Sequence, residues 1–245
     1  MKRVIWWYAL FFVLLIAGFW FFLFRDTDLS KSNLPVLNDH VADFSFVNQD
    51  GKTITDKDVE GKVYVVEYFF TTCKAICPRM NINMRRIYDQ FKDEDNFMIL
   101  SHTCMPEVDS VPLLKAYEIK MLNGDVAKGP NGNYMINAPA TLNTQPQSSN
   151  PKWNFLTGDK TALYRMARNS YLIDNNKPDS IQNIANQFIH TQFFALVDKQ
   201  RNVRGMIYDG LKEDEIQNLM RDIKDLLKEK FDQKRFLGNF SNTPN

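Results

Sequence analysis

Apolar and polar positions along this 245-residue chain change period from block to block. The first block has no period: Val4 to Phe24 runs without a charge between Met1-Lys2-Arg3 and Arg25-Asp26. About 20 apolar residues span a bilayer as a helix. A cleaved secretory signal has a shorter apolar core and a small-x-small cleavage site, whereas bulky Trp, Phe and Leu run to the end of this one. Residues 1–25 therefore read as an uncleaved transmembrane anchor with a short cytoplasmic N-terminus. Trp6, Trp7 and Tyr8 near one end and Trp20 near the other suit the two membrane interfaces. Lys2 and Arg3 hold the N-terminus inside by the positive-inside rule, which puts the remainder on the periplasmic or extracytoplasmic side of a cell inner membrane. Residues 26–39 read as a polar linker.

Beyond the linker the pattern becomes that of a folded domain, over 40–234. Val41 to Val47 alternates as a strand, Asn48-Gln49-Asp50-Gly51 signals a turn, and Thr53 to Thr55 returns as a short strand. Val63 to Phe70 is a β-branched and aromatic run broken only by Glu67, the mark of a buried strand. Met80 to Phe91 carries Ile82, Ile87 and Phe91 at helical spacing. Asn96 to Ser101 reads as a strand and Val111 to Met121 as a helix. Apolar order resumes at Trp153 to Leu156, followed by a helix from Lys160 to about Tyr171. Thr191 to Val197 and Val203 to Tyr208 form a hairpin about the Asp198–Asn202 turn. The last helix, Lys212 to about Phe231, has Ile216, Leu219, Met220, Ile223, Leu226 and Leu227 on one face. Strand–helix–strand followed by a hairpin and a helix predicts an α/β fold, a thioredoxin-like mixed sheet flanked by helices on both faces. Between the halves, 122–151 is rich in Gly, Asn, Pro, Ser and Thr and longer than an ordinary connection. Its composition reads as an exposed insertion rather than as a functional lid. Residues 235–245 read as a mobile tail.

The formal net charge of +1 and the absence of a Lys/Arg cluster interleaved with aromatics exclude a nucleic-acid-binding surface. Three cysteines in a chain of this length exclude a disulfide scaffold and leave at least one thiol over. Two of them carry the chemistry. Cys73 and Cys77, spaced C-x-x-x-C and followed by Pro78, stand where a strand hands over to a helix N-terminus. Backbone N–H groups and the positive end of the helix dipole favour thiolates there. Thiolates at i and i+4 share one side of a helical turn, about 6 Å apart at Cβ. That arrangement suits either disulfide exchange or a soft ion such as Cu(I).

Asp43-Phe44 through the Asp50-Gly51 turn, Gly61-Lys62, and Phe69-Phe70-Thr71-Thr72-Cys73-Lys74-Ala75-Ile76-Cys77-Pro78 together resemble the Sco/SenC proteins. The resemblance continues at Ser101-His102-Thr103, Pro106 to Ser110 and Trp153 to Asp159, and closes at His190 before the hairpin. It implies a membrane-anchored, thioredoxin-fold metallochaperone that binds one copper ion per chain through Cys73, Cys77 and His190. Its implied recipient is the copper-site subunit of cytochrome c oxidase, at the copper A centre, with other copper carriers or thiol reductants as further partners. Met105 departs from the pattern, standing where family members often carry an acidic residue. The alternative function is a thiol-disulfide oxidoreductase working through Cys73 and Cys77. A peroxide-consuming thiol helped by Thr72 and Arg79 is a third reading. Cys104 reads as an inert, half-buried thiol or, less simply, a resolving partner for Cys73 or Cys77. His102, at the end of a core strand, reads as a structural or supporting residue, and His40 as solvated. Met98, Met105 and Met121 read as core packing rather than a copper run.

Overall fold

The computed structural model describes residues 2–24, 32–74, 76–128, 134–137, 152–174 and 191–230. Helix α1, Lys2–Phe24, is apolar from Val4 onward, and Ile5–Phe22 is long and apolar enough to cross a membrane. Strands β1 (Val36–Asn38), β2 (Ser45–Asn48) and β3 (Thr53–Thr55) precede the one-turn helix α2 (Asp56–Val59). The central motif is β4 (Val63–Phe69), α3 (Cys77–Phe91) and β5 (Phe97–Thr103). Then come α4 (Val111–Asn123), the hairpin β6 (Asp125–Lys128) and β7 (Tyr134–Asn137), and β8 (Trp153–Thr157). Helix α5 (Lys160–Arg165), a π-helical turn (Met166–Ser170), β9 (Phe193–Val197), β10 (Val203–Asp209) and α6 (Glu213–Lys228) complete the described chain.

Among the described residues one eight-stranded sheet runs in the order β1-β10-β9-β4-β5-β8-β2-β3. The middle pairs β4–β5 and β5–β8 are parallel, while β9 is antiparallel to β4. All seven residues of β4 and of β5 are buried, because helices cover both faces. Val65, Phe69 and Ile99 point to a layer filled by Met80 and Met84 of α3, Leu114 of α4, and Ile216 to Leu226 of α6. Tyr64, Val66, Tyr68 and Leu100 point the other way, onto Val59 of α2 and Leu163, Tyr164, Met166 and Ala167 of the α5 region. The mixed sheet with helices on both faces agrees with the expected architecture. Gly51 closes the β2–β3 turn at φ 71, in the left-handed region glycine adopts freely.

Four local features differ from the sequence reading. Val36–Asn38, in the stretch read as linker, is an edge strand whose Val36 pairs with Arg204 of β10. Trp153–Thr157 is a full strand bridging β5 and β2. The helix expected to run to Tyr171 turns π-helical after Arg165. The stretch read as an exposed insertion supplies a hairpin whose Ile136 is only 4% exposed and joins the α3 side of the core. Positions 129–133 and 138–151 of that stretch lie outside the described residues, as does the tail 235–245.

Candidate metal centre

The dithiol forms at the C-terminal end of β4. The chain turns after Phe69, and the Cys73 amide donates to the Phe70 carbonyl at 3.1 Å. Helix α3 opens with Cys77, and Pro78 occupies its first turn, where a missing N–H costs no helical bond. Cys77 faces the core and is 3% exposed, whereas Cys73 is half-buried at the rim. Both are free thiols, and their side chains lie within hydrogen-bonding reach of one another. Burial pushes the Cys77 thiol far above the ordinary range, and the neighbouring Cys73 adds to the effect. The expectation that the helix N-terminus lowers both thiols is thus corrected at Cys77, where desolvation outweighs the dipole.

Asp109 holds this loop in place, a role the sequence did not reveal. Its carboxylate is fully buried. It accepts from the Thr71 hydroxyl at 2.5 Å, from the Thr71 amide at 3.3 Å and from the Thr103 hydroxyl. It thereby ties the segment two residues before Cys73 to the end of β5. Asp109→Ala strands the buried Thr103 hydroxyl, at about 1–3 kcal/mol for a buried donor left unsatisfied, and frees the half-buried Thr71 hydroxyl and amide. Chemical unfolding should show a loss of that order or more, with weaker metal retention; a variant as stable as the wild type would refute the tie.

His190 lies outside the described residues, but the chain resumes at Thr191. The Thr191 hydroxyl donates to the Ile173 carbonyl at 2.7 Å. The Gln192 carbonyl accepts from the Gly210 amide at 2.8 Å, and the Gly210 carbonyl accepts from Asn83 of α3 at 2.8 Å. Because β9 runs antiparallel to β4, it starts at the end of the sheet where β4 delivers Cys73. Among the described residues no three His, Cys, Asp or Glu side chains gather as a metal site.

A model of the SCO1/SenC family matches residues 34–127 and 137–228. The chain belongs to the SCO1/SenC family. The SCO1 protein homolog of Bacillus subtilis (strain 168) is 27% identical over 190 residues, spanning 77% of this chain and 83% of that one. The structure of BsSco, a Sco-family cytochrome c oxidase assembly protein in which a disulfide switch was identified, is 27% identical at a TM-score of 0.56. That alignment covers 80% of this chain and 98% of BsSco. Arabidopsis thaliana ScoI, solved with copper bound, shares the fold at 21% identity and a TM-score of 0.50, over 77% of this chain and 98% of its own. The SCO1/SenC match leaves out residues 128–136, which include the end of β6 and most of β7.

The remaining candidates separate by the face of β5 on which they fall. His102 is fully buried in the layer opposite Cys77. Its ring stacks on Tyr68 at 5.1 Å and meets Phe46 and Tyr171 at 5.5 Å. Burial lowers its pKa to about 3, against only a weak raising contact with the Leu100 backbone. It is a neutral core residue. Cys104 lies in that same opposite layer, 2% exposed rather than half-buried, with its thiol pushed up by desolvation. The sheet separates it from Cys77, which removes the resolving-thiol reading for that pair. Met98 and Met121 are buried in the core, and His40 is exposed. Met105 is partly buried, and its amide donates to the Thr103 hydroxyl at 2.9 Å. Thr72 and Arg79 are both exposed, and the Cys77 thiol is raised rather than activated, so the arrangement does not favour peroxide chemistry.

Proposed function

We propose that this SCO1/SenC protein is a membrane-anchored copper chaperone. It holds one copper ion through Cys73, Cys77 and His190 and hands it to the copper A centre of cytochrome c oxidase by ligand exchange. The observation that carries the reading is the pair of free thiols within reach of each other at the head of α3. The strand that follows His190 starts at the same end of the sheet. Two soft sulfurs and one imidazole favour Cu(I) while leaving Cu(II) accessible, and three protein ligands leave room for a recipient's ligand to enter. Copper is cargo here: Cys73, half-buried, would be the ligand a recipient reaches first. The apolar helix α1, with Lys2 preceding its membrane-length stretch, supports an anchor that places the domain on the extracytoplasmic side.

Anaerobic Cu(I) titration of the reduced full chain in detergent, against a competing chelator, tests this. One ion per chain is expected, with His190→Ala binding more weakly at unchanged stoichiometry. No binding by the wild-type chain would sink the chaperone reading.

A second reading, thiol-disulfide exchange on a partner's cysteines, is favoured by the same pair of adjacent free thiols and by the disulfide switch of BsSco. The two readings are compatible, since a dithiol without metal is free to form a disulfide.

A further inference from the structure

The segment that follows α1 is gripped by buried charges of the β9–β10 hairpin. Arg204 of β10 donates to the Leu34 carbonyl from Nε at 3.2 Å and from Nη2 at 3.1 Å. Its guanidinium is held in turn by the carboxylates of Asp198 at 2.7 Å and Glu229 at 3.3 Å, both buried. Glu229 Oε1 also accepts from the Ser32 amide at 2.6 Å, and the Gly205 amide donates to the Pro35 carbonyl at 2.8 Å. Next along the chain, Val36 of β1 pairs with Arg204. Further on, Arg201 donates to the Val41 carbonyl and to Asp43 at 2.6 Å. Two buried arginines of one hairpin thus hold both ends of residues 32–43.

The grip sits at the pole of the domain opposite Cys73. The Gly61 amide, just before β4, donates to the Lys199 carbonyl at 3.1 Å, and Lys199 Nζ donates to the Leu227 carbonyl at the end of α6 at 2.7 Å. From this pole β4 runs about 20 Å before the chain turns to Cys73. Positions 25–31 lie outside the described residues, and from Phe24 to Ser32 the chain reaches at most about 26–29 Å. A domain of this size is about 40 Å across. Bringing Cys73 down onto the bilayer would lift the gripped pole by about that width, which the tether does not span. With the Arg204 grip released, the next residue held is Val41, and the reach grows to about 56–61 Å, enough for the domain to invert.

We propose that the pole formed by the β9–β10 turn and the end of α6 is the domain's membrane-facing surface, and that residues 32–43 are the clasp that keeps it there. The inference rests on the anchor reading above, since it takes α1 to cross the bilayer. Its occupant is the lipid surface of the membrane that α1 spans. Exposed Lys92, Lys228 and Lys230 and exposed Asp93, Glu94 and Asp95 offset one another at this pole, so the short tether selects the face rather than attraction to charged lipid. Cys73 is thereby turned toward acceptors that stand in the aqueous compartment and away from groups at the lipid surface. Sequence alone gives 26–39 the look of a free linker; the clasp leaves only 25–31 to act as one.

The test places the full chain in phosphatidylcholine nanodiscs that carry a headgroup-linked energy acceptor. A donor dye is attached at Lys228→Cys on the gripped pole or at Glu107→Cys beyond β5 at the other, both exposed positions, in a Cys73→Ala/Cys77→Ala background; Cys104 is buried. The dye at 107 should stand about 20–40 Å farther from the bilayer than the dye at 228. A Gly-Ser insertion of 20 residues between Lys31 and Ser32 leaves the folded domain untouched and lengthens the tether, and it should abolish most of that difference. Arg204→Ala/Glu229→Ala, which opens the clasp, should reduce the difference in the same direction. Equal distances for the two dyes, or 107 the nearer, overturn the proposal. A difference that survives the insertion overturns the tether as its cause, and if the double variant does not fold, the insertion alone decides. A chain that does not co-float with phosphatidylcholine vesicles overturns the anchor reading itself, and the membrane-facing pole with it.

Discussion

Cys77→Ala is expected to lose tight copper binding while the domain stays folded. The thiol is 3% exposed and packs in the same layer as Met80, Phe69 and Tyr117, so removing its sulfur leaves a small void. A truncation of that size costs about 1 kcal/mol, a fraction of a domain's usual stability. Against that small loss stands the removal of one of two soft ligands. The effect on affinity should exceed the ~10–100-fold that changes to groups merely supporting a ligand produce. Cys73→Ala should lose binding as completely at a lower cost in stability, because Cys73 is half-buried at the rim. Cys104→Ala is the control: it removes a buried thiol from the opposite layer and should leave copper stoichiometry unchanged. Chelator competition and urea unfolding on the same three variants separate the two effects. Tight one-to-one binding in Cys77→Ala would remove the dithiol from the site, whatever the fold.

The parts of this architecture that were legible are those written in local pattern. Val63–Phe69 is apolar but for Glu67 because a central strand is covered on both faces, and Cys73 and Cys77 are marked by spacing within a few residues. Val36–Asn38 was hidden because it is an edge strand with two of its three residues exposed, so its composition is that of a linker. Trp153–Thr157 is short, and four of its five residues are buried on one face or the other, which leaves no alternation to read. Ile136 was hidden in a segment whose average composition is polar, although one well-placed side chain is enough to seat a hairpin. The dithiol was legible in its spacing, and the residues that hold its loop were not. Asp109 meets Thr71 across 38 positions, and Glu67 meets Ser101 across 34, through the pairing of β4 with β5 and the turn after it. A single sequence signals the two strands, but it does not say which polar residues their register brings together.

That register also sets an unusual dependence of stability on pH. The His102 ring is neutral in the fold down to about pH 3, whereas in the unfolded chain it takes a proton below about 6.5. Between those values the unfolded state binds one proton more, so stability falls as the pH is lowered, by roughly 4–5 kcal/mol over the whole window. Glu67 acts in the opposite sense. Its folded value is raised to about 7 from an ordinary 4.5. Its contribution is therefore full below pH 4.5 and is lost as the pH rises through about 7, a change of roughly 3 kcal/mol. Between pH 4.5 and 6.5 the two slopes oppose and nearly cancel, leaving a plateau bounded by an acid limb that belongs to His102. His102→Leu deletes that limb. Both ring nitrogens lack a hydrogen-bond partner among the described residues, so an apolar side chain of similar size strands nothing new. Relative to wild type, the variant should gain stability steadily as the pH falls from 6.5, reaching roughly 3 kcal/mol by pH 4, and should differ little at pH 8. With the histidine gone, the Glu67 slope stands alone, and stability should decline visibly from pH 4.5 to 7. Urea midpoints at fixed m-value across pH 3.5–8 read both effects. Curves for the two proteins that run parallel would show that His102 is protonated within the fold, and that its aromatic enclosure does not exclude the charge.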